Sequence, residues 1–196
     1  MLRKTLFTII ISGVLATSIV RCGDAPAAQQ PADTKDSSQA NKPDLVERGK
    51  YLVTTLGCND CHSSKKMGPH GPEIDSAHML AGYLEAVPVP DFEAAVVKKG
   101  LIVTVPTFTA FMGPWGTSFA ANISPDSTGI GSWSLDQFKK ALREGKYKGL
   151  EGSRPLLPPM PWPNYVNMTD DDVEAVFTYL KSIKPVKNVV PAFRPV

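Results

Sequence analysis

The chain has 196 residues, 42% of them hydrophobic and 20% charged, an ordinary globular composition with room for one packed domain and appendages. Its formal charge of +2 owes everything to Arg3, Lys4 and Arg21, and without them the 19 acids outnumber the bases by one. A body so nearly neutral excludes nucleic acid as an expected partner.

The N-terminus reads MLRKTLFTIIISGVLATSIVRCGDAPAA: a basic pair, an apolar run from Leu6 to Val20, then Cys22. This is the pattern of an export signal, and the run is short of the roughly 20 residues a spanning helix needs. Lipid attachment at Cys22, cleavage after the Ala-Pro-Ala of 25 to 27, and an uncleaved membrane anchor all stay open. Each places the body in the periplasm or otherwise outside the cytoplasm, and the expected arrangement is a body tethered to a membrane. Residues 1–22 are therefore read as signal or anchor. Residues 23–43 hold no large apolar side chain and are expected to be a disordered linker, leaving 44–196 as the folded domain.

DLVERGKYLVTTLG predicts a helix, with Gly49 where a second helix can come close, and it runs into LGCNDCHSSKKMG. Four chemistries can use Cys58 and Cys61. A zinc ion needs further ligands from His62, His70 and His78, and no second Cys-x-x-Cys exists. A thioredoxin-like pair wants a βαβ context that is missing, and a plain disulfide leaves His62 unexplained. Cys-x-x-Cys-His is the signature of covalent haem attachment. Two thiols a helical turn apart reach the two vinyl groups on one porphyrin edge, and the next imidazole falls beneath the iron. The expected cofactor is one haem c with His62 as proximal ligand. The second ring nitrogen of His62 should donate to a backbone carbonyl. Pro69 and Pro72, in MGPHGP, supply the nearest rigid loop for that carbonyl or else only turns.

LIVTVPTFTAFMGPWGTSFAANISPDSTGIGSWS follows, rich in Gly, Ser and Thr. It predicts a short strand over 101–105 and then a long ordered loop, a kind of segment that is usually functional. SLDQFKKALREG predicts a helix with a capping box from Ser134 and Gln137, a face of Leu135, Phe138 and Leu142, and a stop at Gly145. LLPPMPWPNY cannot be helical and sets Pro158, Pro159, Pro161 and Pro163 around Met160. A thioether is a weak, neutral ligand that raises the reduction potential and needs a rigid loop, so Met160 is the expected sixth ligand. Met79 and Met112 read as core or loop residues and Met168 as a staple onto the last helix, while His70 and His78 offer a bis-histidine alternative. TDDDVEAVFTYLKSIK predicts that last helix, capped by Thr169, with an apolar face of Val173, Val176, Phe177, Leu180 and Ile183 and a stop at Pro185.

The helix running into CNDCH, the MPW loop and the closing helix VFTYLKSI look like a class I c-type cytochrome domain. FAANISPDSTGIGSWSLDQFKKALREG and PPMPWPNYVNMTDDDVEAVFTYLKSIKPV resemble the monohaem cytochrome c domains in the cytochrome subunits of bacterial alcohol and gluconate dehydrogenases. The resemblance spans about residues 44 to 190. It implies an all-α, class I cytochrome c-like helical fold around one covalently bound haem, with a long ordered loop insertion. It also implies that Cys58 and Cys61 bind the haem and that His62 and Met160 are its axial ligands. Those subunits carry several haem motifs and this chain carries one. The expected function is thus a monohaem electron carrier between dehydrogenase or oxidase partners, not itself an enzyme. The alternative is a five-coordinate or bis-histidine haem protein acting as a peroxidase-like enzyme or gas sensor. Lys65, Lys66, Lys139, Lys140, Arg143, Lys146 and Lys148 form either a basic docking surface or a solvated face.

Overall fold

The helices that pack most closely are α1 (Lys42–Thr55) and α5 (Asp170–Ser182), near the two ends of the 42–196 segment that the computed structural model describes. Gly49 makes their approach possible, because a Cβ there would overlap the Ala175 carbonyl and the Tyr179 Cβ. Leu52 and Val53 of α1 join Val173, Ala175, Val176 and Leu180 of α5 in the core, which Leu80, Ile130 and Phe138 complete. Val173 is fully buried and Leu180 nearly so, and burying each contributes roughly 2 kcal/mol. Arg48 Nε meets Asp172 Oδ1 at 2.9 Å across the same pair of helices. The Thr169 hydroxyl accepts from the Asp172 amide at 3.2 Å, the cap expected from the sequence, and three acids in the first turn complement the helix dipole.

Three shorter helices complete the set among the described residues: α2 (Cys58–His62), α3 (Ala94–Lys98) and α4 (Leu135–Arg143). The capping box expected on α4 is half made. Ser134 Oγ accepts from the Gln137 amide at 3.1 Å, but the Gln137 side chain does not reach back and instead donates to the Lys148 carbonyl at 2.8 Å. Phe138 on α4 packs its ring against Phe177 of α5, centroids 5.3 Å apart.

The expectation of an all-α fold is overturned by two small antiparallel sheets. The first is a hairpin of β1 (Lys65–Gly68) and β2 (Gly71–Ile74), closed by Pro69 and His70. The second has order β3-β4-β5, from Val103–Thr104, Ala110–Gly113 and Gly116–Phe119. It occupies the first half of the 101–134 stretch, of which only the strand near 101–105 was expected. Its physical origin is the Gly113-Pro114-Trp115-Gly116 turn, which brings β4 and β5 into register from Ala110 opposite Phe119 to Gly113 opposite Gly116. Residues 110–113 and 116–118 are buried, so their backbone groups must pair within the protein, and a ladder accomplishes that. The C-terminal tail joins at the other edge, where Thr117 and Arg194 exchange N–H to carbonyl bonds of 2.7 and 3.1 Å.

The expected signal or anchor, Cys22 and nearly all of the expected linker lie outside the described residues. α1 starts at Lys42, inside the last positions assigned to that linker. Among the described residues no helix is long and apolar enough to cross a membrane.

Candidate functional site

α2 presents Cys58 and Cys61 three positions apart, hence on one face of the helix, with His62 next in line. Both side chains are half-buried, and no disulfide joins them. Burial pushes the Cys58 thiol up to about 11 and moves Cys61 in the same direction. A redox-active pair is tuned in the opposite direction. Among the described residues no group of three or more His, Cys, Asp or Glu side chains is placed to hold a metal ion, which leaves the zinc reading without a ligand set.

His62 Nδ1 lies 2.7 Å from the Ala121 carbonyl. A carbonyl only accepts, so the proton sits on Nδ1 and the lone pair on Nε2, the tautomer in which an imidazole binds a metal. Burial lowers the His62 pKa, opposed by the bond to Ala121, and the ring is kept neutral. The acceptor expected near Pro69 and Pro72 is therefore elsewhere, for those prolines only build the β1–β2 hairpin.

The Ala121 carbonyl is held by a dense set of bonds. Residues 80–83 lie beside 120–123: the Gly82 amide donates to the His62 carbonyl at 2.7 Å, Tyr83 to Ala120 at 3.0 Å, and Ile123 to Leu80 at 2.9 Å. Gly82 has φ +75°, and a Cβ there would run into the carbonyls of Ala120 and Ala121, so only glycine fits. Behind this pair sit two buried asparagines. Asn188 donates to the carbonyls of Ala81 and Tyr83 at 2.7 and 2.9 Å and accepts from the Glu85 amide at 2.8 Å. Asn122 donates to the Val186 carbonyl at 2.9 Å and accepts from the Ser124 amide at 3.0 Å. The far end of α2 is fixed through Ser63, whose hydroxyl donates to Asn59 Oδ1 and accepts from the Leu80 amide, both at 2.8 Å.

Lys65 turns inward. Its ammonium donates to the carbonyls of Asn59, Asp60 and Ser63 around the end of α2 and, at 3.0 Å, to the Thr107 carbonyl before β4. A cation at a helix C-terminus offsets the unpaired carbonyls there. Partial burial lowers the Lys65 pKa, with the neighbouring Cys61 and Asp60 acting against it. Beside this anchor opens a cleft of about 500 Å³, lined by Asp60, Cys61, Lys65, Phe108, Phe111 and Pro159. Its volume lies in the range of small-molecule and cofactor sites, and its wall is chiefly aromatic and aliphatic.

Pro159 brings the proline-rich segment to the same cleft as Cys61. Met160 follows it, half-buried, its amide donating to the Leu157 carbonyl at 3.2 Å. The peptide between Pro158 and Pro159 is cis. Trp162–Tyr165 then forms a 3-10 turn that buries Tyr165, whose phenol pKa is raised by burial first and next by the nearby Cys58 and Cys61. Upstream, the Leu156 amide donates to the Gly145 carbonyl at 2.6 Å, and the indole of Trp162 lies against Gly145 at the end of α4.

Neither Met160 nor His62 is itself on the wall of this cleft, and the other expected candidates are away from it as well. His70 is exposed in the β1–β2 turn, and His78 is paired through Nδ1 with Asp75 at 2.6 Å. Met112 is buried in β4, while Met79 and Met168 pack against the helical core. Much of the anticipated basic surface is neutralised locally: Lys139 and Arg143 pair with Asp170 at 3.2 and 2.6 Å, and Lys140 with Glu151 at 2.8 Å. Sequence reasoning missed Ala121, the two asparagines and the inward role of Lys65. Ala121 acts through its backbone and leaves no side-chain signal. Asn122 carried the faint one of an Asn at the head of a turn-rich run.

The family model described as Cytochrome c matches residues 46–184. The chain is 28% identical over 183 residues to the fructose dehydrogenase cytochrome subunit of Gluconobacter japonicus, covering 92% of this chain and 30% of that one. It is 33% identical over 150 residues to the gluconate 2-dehydrogenase cytochrome c subunit of Pantoea cypripedii, covering 76% and 25%. Similarity extends to the alcohol dehydrogenase (quinone) cytochrome c subunit of Gluconobacter oxydans, 29% identical over 157 residues, covering 79% and 24%. The chain thus spans less than a third of the length of these relatives.

Proposed function

The chain belongs to the cytochrome c family and carries covalently bound haem c; from that premise we propose that it is a single-haem electron carrier in which Cys58 and Cys61 hold the haem and His62 and Met160 close its two axial positions. The bound haem supplies reversible one-electron exchange at iron. The observation that carries the reading is the His62 to Ala121 bond, which commits Nδ1 and leaves Nε2 as the one nitrogen available to a metal. Cys58 and Cys61 fix the group to α2, and Phe108 and Phe111 give the cleft beside them an aromatic wall. Low polarity around such a site favours the less charged, reduced state. Met160 supplies a neutral sulfur from a segment stiffened by prolines on both sides.

Relatives named as cytochrome subunits of dehydrogenases support a dehydrogenase as electron donor. The leader pattern of residues 1–22 supports a domain working outside the cytoplasm, tethered through that segment or a lipid on Cys22. Transient electron-transfer complexes use small interfaces, and the mouth of the cleft by Cys61 and Phe108 is the surface nearest the redox group.

The test is the absorption spectrum of oxidised holoprotein made with haem-attachment machinery, for wild type and Met160→Ala. A weak long-wavelength sulfur-to-iron charge-transfer band in the wild type, lost in the variant, is the expected result. Absence of the band from the wild type, together with rapid carbon monoxide binding to the reduced protein, would overturn the sixth-ligand assignment and favour an open site.

A further inference from the structure

The methionine segment has almost no means of holding itself in place. Pro158, Pro159, Pro161 and Pro163 have no amide proton, so from 158 to 161 the one backbone donor is the Met160 amide, spent on Leu157. The segment must then be gripped from outside through its carbonyls. Among the described residues, one side chain does this to residues 157–161: the Ser118 hydroxyl of β5 donates to the Pro158 carbonyl at 2.7 Å. Ser118 is buried at 8% exposure. Its single proton has a poorer alternative in the Phe111 carbonyl at 3.5 Å, so Pro158 takes it. The indole N–H of Trp115 donates to the same Ser118 oxygen at 3.2 Å, occupying a lone pair and polarising the hydroxyl toward Pro158.

We propose that Trp115 and Ser118 are positioning residues for the sulfur of Met160, a relay through which the β4–β5 hairpin holds the axial-ligand segment against the haem. This rests on the Met160 ligation proposed above. The hairpin is not a spacer in this account. Its tight Gly113–Gly116 turn brings the Trp115 indole to the Ser118 hydroxyl on β5, and the two hydrogen bonds end two residues before the methionine. A thioether is a weak ligand, displaced from ferric iron as rising pH frees stronger nitrogen and oxygen donors. Any loosening of its segment should therefore show as displacement at lower pH, a readout that overall packing does not set.

The experiment titrates the charge-transfer band of oxidised holoprotein with pH, alongside thermal unfolding, for wild type, Ser118→Ala, Ser118→Thr and Trp115→Phe. One hydrogen bond of this kind shifts an equilibrium by roughly tenfold, so Ser118→Ala should lose the band about one pH unit lower. Ser118→Thr, which keeps the hydroxyl, should restore most of that shift, and Trp115→Phe should move it part of the way. If Ser118→Ala does not accumulate folded, Trp115→Phe carries the same test. An unchanged midpoint in the variants, even with lower thermal stability, overturns the positioning role while leaving Met160 ligation intact. A wild type with no band, or one that Met160→Ala keeps, removes the ligation reading and this inference with it.

Discussion

On its histidine side, the candidate haem site is backed by Gly82, Tyr83, Asn122, Asn188 and the tail at Val186, each with a backbone or amide bond that locates the Ala121 carbonyl. On its methionine side, a run of prolines meets the sheet through one hydroxyl. The first region is fixed by satisfied buried polar groups, which are costly to break because each loss leaves an orphan in a water-poor place. The second is stiff because its chain has few conformations to begin with, a restraint that acts largely through the unfolded state. Damage to the histidine side should therefore appear as lost stability, and damage to the methionine side as altered iron ligation in a protein that stays folded.

The strongest challenge to this contrast is Asn188→Ala, which strips the carbonyls of Ala81 and Tyr83 and the amide of Glu85 of their partner. A loss of about 3 kcal/mol in equilibrium unfolding of the holoprotein is expected; a cost below 1 kcal/mol would mean that the buried network is not what locates Ala121. Gly49→Ala comes next, at about 2 kcal/mol from forcing a methyl onto the Ala175 carbonyl. It touches neither side of the site, so it should lower stability with the pH midpoint of the charge-transfer band unmoved, and it calibrates what global weakening alone does. Pro161→Ala should cost only about 0.5 kcal/mol, yet shift that midpoint downward. Lost stability with an unshifted midpoint would invert the comparison.

The smallest effect is expected from Asp170, whose carboxyl is held below the usual range by hydrogen bonds from Arg143 first and then Lys139. A depressed folded value means that its stabilisation is complete above the ordinary carboxylate pKa and fades as pH falls through the lowered one. Asp170→Asn should remove that acid-side decline and lower neutral-pH stability by the same small amount, since the Asp170 carboxylate is largely exposed. Unfolding curves for variant and wild type that stay parallel down through the acid range would show that the pair contributes nothing.

What could be read from the sequence was whatever is written in local chemistry. Thr169 with its acids, Ser134 before α4, Gly49 on α1 and the Cys-x-x-Cys-His run each announce themselves within a few residues, and the structure shows those helices, that close approach and that short motif helix. The three-stranded sheet did not announce itself, because β4 is buried on both faces and shows no alternation of polar and apolar residues. Its Gly-Pro-Trp-Gly turn was the clue available. The assumption of an all-α fold failed for that reason. The acceptor for His62 was beyond reach in principle, since it is a backbone atom positioned by contacts distant in sequence, as from Asn122 to Val186, 64 residues apart.

Lys65 carries a charge that does not behave like those of the surface ion pairs. Lys139, Lys140 and Arg143 lie at the surface in pairs with acids, where dissolved salt screens them. The ammonium of Lys65 is wrapped by carbonyls at the end of α2 and the approach to β4, partly out of solvent, next to Cys61. Its field on the cleft is correspondingly hard to screen. Ionic strength should then act on how often partners meet this protein far more than on the driving force of the electron step, so that the kinetics and the thermodynamics of transfer answer to different sets of lysines.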